Sequence, residues 1–170
     1  MPLSLHDIAV PTITRMLGNM LPWLDKAEAH AAARRFDPQV YMTLRLAPDM
    51  LPFPKQIQIA TDNAKGCVAR LGGVEIPVFE DNEASLGELK ARISRTLEFV
   101  RGVPPAGFDG AEDRAIEIPL RNREPLRFTG QAYLLSFALP NLYFHATTTY
   151  ALLRHAGVEL GKGDFLGDMR

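Results

Sequence analysis

Four stretches of this chain repeat their apolar residues at intervals of three and four positions, and only one short segment alternates. The repeating stretches predict helices over residues about 4–35, 54–71, 85–102 and 129–156. The alternating segment predicts a β-hairpin over about 114–128, directly before the last helix. Because no strands alternate with helices, a parallel sheet is excluded. We therefore expect a mostly all-α fold, a four-helix bundle with a small β-hairpin.

Helix-capping residues support the predicted starts. Ser4 and Ser85 are each followed three positions later by an acidic residue, as in a capping box, and Thr129 precedes the last helix. Pro11 and Pro22 lie inside the first helix, where each removes a backbone donor, so we expect a kink or a local adjustment there.

Length and charge narrow the function classes. The 170 residues suit one domain, spanning 1–170, and the formal net charge is -1 with lysine and arginine scattered along the chain. This distribution argues against nucleic-acid binding. No apolar run is long enough to span a bilayer, so no membrane partner is expected. Cys67 is the single cysteine, which excludes an internal disulfide and favours a cytoplasmic location.

The last predicted helix carries an inward-facing polar group. Phe137, Asn141, His145, Thr148 and Leu152 fall within roughly an 80° arc of a regular helix. Polar side chains on a buried face need partners, because unpaired burial costs about 1–3 kcal/mol per group. The partners are other side chains, water or a ligand. His145 is therefore a metal ligand, a pocket residue, or a satisfied histidine in the core.

Several segments resemble one family. The order of helices, and the segment "NLYFHATTTYALLRHAGV", resemble the DinB/YfiT-like superfamily, four-helix bundles with a long second connection and metal-bearing members. The segments "RLAPDM", "TDNAKG", "FTGQAYLLSFALPN" and "HAGVELGK" are similar to an uncharacterised bacterial branch of it, a domain of unknown function. The resemblance covers nearly the whole chain.

The resemblance implies a metal site that this chain does not reproduce. Metal-bearing members carry His-x-x-x-His on the last helix and a third histidine on the second. Here Asn141 stands at the first position and His145 at the second, and no histidine lies between His30 and His145. The second helix offers Gln56, Gln58, Asp62 and Asn63 instead. Amides are poor ligands for zinc or nickel. We expect no cofactor, leaving open a weak divalent metal at His145.

Two functions remain open. One is a metal-free binding or interaction domain that has lost the histidine triad. The other is a thiol-dependent small-molecule transferase or a hydrolase-like enzyme, with or without a divalent metal, in which His145 is the general base and Asn141 orients the substrate. The candidate pocket is formed by His145, Asn141, Thr148, Gln56 and Asn63. No catalytic residue or metal ligand is assigned. We expect a small-molecule ligand and a homodimer.

The remaining chemistry-bearing residues have structural interpretations. Cys67 lies on the inward-facing side of its helix, and we expect it to be a small apolar side chain of the core. His155 lies near the C-terminal end of its helix, where an imidazolium interacts favourably with the last carbonyl groups. His6 and His30 read as surface or interface residues. The tail is expected to dock on the bundle or on a partner. No acid–base pair is predicted among the carboxylates of the second helix and the acidic loop: Asp62, Glu80, Asp81 and Glu83.

Overall fold

The computed structural model describes residues 3–168. Its long helices begin and end within one residue of the predicted bounds: α1, Leu5–Arg34; α2, Phe53–Gly72; α3, Leu86–Gly102; and a last helix made of α4, Gly130–Tyr133, a π-helical segment, Leu134–Ala138, and α5, Leu139–His155. The predicted mostly helical fold is confirmed. The prediction of one domain over residues 1–170 stays a prediction, and its first and last two residues lie outside the described range.

The predicted caps form at the three helix starts. Ser4 accepts a hydrogen bond from the backbone N–H of Asp7, and the Asp7 carboxylate accepts one from the backbone N–H of Ser4. Ser85 accepts from the N–H of Glu88, but the Glu88 carboxylate accepts from Ala84, so this capping box is only half formed. Thr129 accepts from the backbone of the last helix.

The helices enclose one core. Helix α1 packs against α3 and α5, and α2 packs against the same two neighbours. The largest fully buried side chains come from α1, α2, α3, α4 and the first connection: Trp23, Tyr41, Tyr133, Phe53, Ile13, Leu17, Met20, Leu24, Ile57, Leu71, Leu89 and Ile93. Burial of such side chains is the main favourable contribution to folding. No helix of residues 3–168 combines the length and apolar character that crossing a membrane requires.

The connections are ordered. The first contains a 3₁₀ turn, Pro38–Thr43, that buries Tyr41. The second, residues 73–85, has no regular element and lies against α2 and α3. The third contains the predicted hairpin, with β1, Ala115–Leu120, antiparallel to β2, Arg123–Thr129.

The prolines are accommodated in two ways. Helix α1 is continuous through Pro11 and Pro22, and both rings lie on its exposed side. Pro140 lies near the middle of the last helix, where its ring would meet the carbonyl four residues earlier. The π-helical segment ends immediately before α5 and gives the wider turn that accepts this ring. The spacing of apolar residues in the sequence does not reveal this π-helical turn.

The tail docks on the bundle. A short helix, α6, Lys162–Leu166, lies against α1. The Trp23 indole donates to the carbonyl of Asp164 at 3.0 Å, and Asn19 donates to the carbonyl of Phe165 at 2.9 Å. The Phe165 ring stacks on Trp23 with 5.7 Å between ring centroids. Most apolar residues of the tail therefore pack against the bundle of the same chain.

Candidate functional site

The candidate pocket centres on a contact between α2 and α5. The His145 ring lies 2.8 Å, Nδ1 to Oε1, from the Gln56 side chain. Both residues are buried, with 8% of His145 and 2% of Gln56 exposed. The Gln56 amide nitrogen donates to the carbonyl of Leu51 at 2.9 Å. Gln56 therefore ties the start of α2 to the connection before it and to the histidine of α5.

This arrangement selects one histidine tautomer. Because the Gln56 nitrogen is committed to Leu51, its oxygen must accept the second hydrogen bond, and the proton lies on His145 Nδ1. The lone pair of the neutral ring is then on Nε2. Nε2 makes no hydrogen bond to residues 3–168, and 8% of His145 is exposed. The site thus presents an oriented hydrogen-bond acceptor at its surface.

The environment also favours the neutral ring. Burial disfavours the imidazolium form, and it lowers the pKa of His145 below its ordinary value of 6.5. The Phe144 ring packs edge-on against the imidazole with 5.2 Å between centroids, although 58% of Phe144 is exposed. His145 is therefore uncharged at neutral pH, as a hydrogen-bond acceptor or a general base requires.

The other predicted pocket residues are arranged less tightly. Asn141 lies one helical turn before His145, is partly exposed, and makes no side-chain hydrogen bond within residues 3–168. Thr148 is buried and donates to the carbonyl of Phe144 at 2.8 Å. Asn63 donates to the carbonyl of Ala138, at the end of the π-helical segment. The structure joins Gln56 to His145 directly, whereas Thr148 and Asn63 bind backbone.

The residues present do not fit a divalent metal. His145 Nδ1 is occupied by Gln56, and the neighbouring side chains on this face are amides and hydroxyls. Among the described residues, no group of three histidine, cysteine, aspartate or glutamate side chains is placed to hold a metal ion. Transition metals favour imidazole, thiolate and carboxylate ligands, and here only one such group is present.

The other histidines and the cysteine have structural surroundings. His30 forms a 2.7 Å hydrogen bond with the Tyr41 hydroxyl, and His6 packs edge-on against Phe108. His155 is exposed at the end of α5. Cys67 is buried, and burial raises the pKa of its thiol to about 12. A protonated, enclosed thiol is unreactive, in agreement with the filler role predicted for Cys67.

Sequence reasoning missed a buried arginine. Arg92 donates four hydrogen bonds, to Thr61 Oγ1 at 2.7 Å, the carbonyl of Glu80 at 3.0 Å, Glu83 at 2.9 Å and Asp62 at 2.7 Å, and it also forms an ion pair with Asp81 at 3.1 Å. Only 2% of the Arg92 side chain is exposed. Arg92 therefore joins the second connection to α2 and α3, and the acidic residues of that connection are its partners.

The acidic loop is stabilised by these contacts. Burial would raise the pKa of Glu83, but hydrogen bonds from Arg92 and Gln58 outweigh it, so the pKa of this carboxyl lies below its ordinary value.

One signal in the sequence indicates that Arg92 is buried and needs such partners. Arg92 stands three positions after Leu89 and beside Ile93, on the inner stripe of α3, where a charged residue needs several partners.

The chain is similar to one protein family and to a solved structure. Residues 5–166 match the model of a family described as a domain of unknown function, DUF1993. A crystal structure of a DinB family member protein from Shewanella denitrificans, at 1.83 Å resolution, has a TM-score of 0.88 with 41% sequence identity. That similarity covers 97% of this chain and 93% of the other. No curated protein matches the chain.

Proposed function

Because this chain belongs to the DUF1993 family of DinB-like proteins, we propose that it is a metal-independent binding protein. Its binding site is the face of α5 that carries Asn141 and His145. The observation that carries the proposal is the Gln56–His145 hydrogen bond, which orients a neutral imidazole with its Nε2 lone pair toward solvent. A preorganised acceptor of this kind lowers the entropic cost of binding a ligand that donates a hydrogen bond.

The site defines the ligand's chemistry. Nε2 accepts from an O–H or N–H group, and the Asn141 amide, one turn away, offers both a donor and an acceptor. The exposed face of Phe144 adds an apolar contact beside the imidazole. A small neutral molecule with a donor next to an aromatic or aliphatic group fits this face.

The proposal is tested by nitrogen-detected NMR of the histidine side chains and by titration. Wild-type protein is expected to show the Nδ1–H tautomer at His145, and phenol, as a minimal donor probe, should shift Nε2 saturably. Gln56→Leu should mix the tautomers and weaken phenol binding, whereas His155→Gln should change neither. An Nε2–H tautomer in wild type, or equal phenol binding by the Gln56 variant, would refute the assignment.

Metal independence needs its own measurement. Protein purified without an affinity tag should contain no stoichiometric divalent metal, and Zn²⁺ titration should give no site that Asn141→Ala and His145→Ala remove. Stoichiometric metal in wild type that is lost in these variants would overturn the proposal.

A second candidate function is a metal-free enzyme acting on a small thiol. The lowered pKa of His145 favours it, because a neutral Nε2 can take the thiol proton while the sulfur attacks an electrophile. A probe pair is 2-mercaptoethanol with 1-chloro-2,4-dinitrobenzene, in which the thiolate displaces chloride. Catalysis above the solvent rate that disappears in His145→Gln supports this function, and equal rates exclude it for this pair.

The expected homodimer is also a proposal. Two apolar side chains on one side of the last helix, roughly two turns apart, stay exposed: Leu135 at 49% and Tyr143 at 38%. We propose that this face pairs with a second copy, as exposed apolar surface favours association. Light scattering after size exclusion should give twice the chain mass, and Leu135→Asp should give the monomer. A monomeric wild type would contradict this proposal.

A further inference from the structure

A groove separate from the Gln56–His145 site lies between the second connection and α3. It has a volume of about 480 Å³ and is lined by residues of both segments, among them Val78, Phe79, Glu88, Ala91 and Arg95. The Arg92 network described above makes its floor rigid, since this one side chain binds α2, α3 and the loop together. Arg92 donates four hydrogen bonds within the chain and its side chain is only 2% exposed, so Arg92 itself is not available to a ligand.

Arg95 differs from its neighbour in this respect. Its guanidinium carbon lies 3.8 Å from the centroid of the Phe79 ring, which is a cation–π contact. Within the described residues, Arg95 makes no hydrogen bond and no ion pair. The contact with Phe79 restrains the group and uses none of its N–H donors. A guanidinium in this state can donate to both oxygens of a carboxylate.

The charge of the groove selects among anions. Its lining contains three carboxylates, Glu80, Glu83 and Glu88, and two guanidinium groups, so that one negative charge is in excess. The Glu83 carboxylate is already neutralised by Arg92. A phosphate or a dicarboxylate would meet net repulsion here. A ligand that carries a positive group as well as a carboxylate would not.

The spacing on α3 gives the ligand's length. Glu88 and Arg95 are seven residues apart, which corresponds to two turns of one helix face and a rise of roughly 10.5 Å. An extended peptide spans about 3.3–3.6 Å per residue, so about three residues cover this distance. We propose that the groove binds a short peptide with free ends, its carboxylate on Arg95 and its ammonium group on Glu88. Ala91, between them on the same face, leaves room for the backbone.

The test uses trialanine as the probe and amide-resolved NMR of the full chain. Trialanine should cause saturable shifts in residues 78–95, and Arg95→Gln should weaken binding about ten-fold or more, the loss expected for charge-assisted hydrogen bonds. Arg101→Gln, an exposed arginine at the end of the same helix, should leave binding unchanged. Blocking either end of the peptide, by acetylation or amidation, should weaken binding to wild type.

Specific results would overturn the proposal. These are the absence of saturable shifts in wild type, equal binding by Arg95→Gln, or equal binding of the free and blocked peptides. Because Arg95→Gln also removes the contact with Phe79, Arg95→Lys serves as a second variant. It keeps the charge and loses the planar fork, so it should bind trialanine more weakly than wild type while remaining folded. Wild-type affinity in Arg95→Lys would refute the bidentate contact.

Discussion

Replacing Arg92 by methionine should destabilise the protein far more than replacing an arginine or lysine of the surface. The change removes the guanidinium but keeps a side chain of similar length on the inner face of α3. Asp62 and Asp81 have side chains 42% and 39% exposed, so water can solvate them, and Lys65 and Lys55 still pair with them. Glu83 is different, because only 10% of its side chain is exposed.

The expected cost therefore comes mainly from Glu83. Without Arg92, this carboxylate keeps the side-chain hydrogen bond from Gln58 but has no cationic partner in a poorly hydrated position. Removing one partner of a buried ion pair costs about 3–5 kcal/mol, and we expect a loss of that size in the free energy of unfolding. Lys90→Met is the matched control, since its partners Asp25 and Glu28 have side chains 64% and 41% exposed. An exposed pair is worth about 0–1 kcal/mol.

Urea unfolding at pH 7.5, followed by circular dichroism, measures both losses. A second variant tests the cause as well as the size. If the cost arises because the Glu83 carboxylate has lost its cationic partner, Glu83→Gln in the Arg92→Met background should restore about 1 kcal/mol or more of the free energy of unfolding. A loss for Arg92→Met within about 1 kcal/mol of the Lys90→Met value would refute the reasoning. So would a double variant no more stable than Arg92→Met.

Three further outcomes are expected. The folded-state pKa of His145 lies below its ordinary value of 6.5, so the unfolded chain takes up the proton first. The contribution of the neutral ring to the free energy of unfolding is therefore complete above about pH 6.5 and is lost as pH falls through the folded-state pKa. Urea unfolding between pH 5 and 7.5 should show a fall in that free energy, which His145→Gln reduces and His155→Gln does not. Cys67 should react with a thiol reagent at pH 8 only at the rate of unfolding, and rapid labelling in native buffer would contradict its enclosure. Phe165→Ala should loosen the tail and shift the fluorescence of Trp23, the single tryptophan, to longer wavelength; an unchanged emission spectrum would count against the stacking seen here.

Local patterns were sufficient to predict the helices of this fold. The starts at Ser4 and Ser85 follow from caps that act within one turn, and the apolar stripes follow from burial. The π-helical segment was not predicted, because it depends on the Pro140 ring meeting the preceding turn, and a single extra residue hardly disturbs the pattern of apolar residues. The contact of Gln56 with His145 was expected only as membership of one pocket, since periodicity gives the face of a helix but not the partner opposite it.

The contacts of Arg92 could not be predicted from local sequence patterns. Its partners come from α2, from the second connection and from the backbone, and none of these pairings has a characteristic spacing along the chain. The carboxylates of the acidic loop were not predicted to bind a buried cation.

The π-helical segment has a consequence for how this family can change in length. A π turn holds one residue more than the α turn that it replaces. Losing this extra residue would return the segment to a regular α turn, so that residues 130–133 keep their place beside the hairpin and residues 139–155 keep His145 opposite Gln56. The segment is thus a position where the last helix can lose one residue without moving the site.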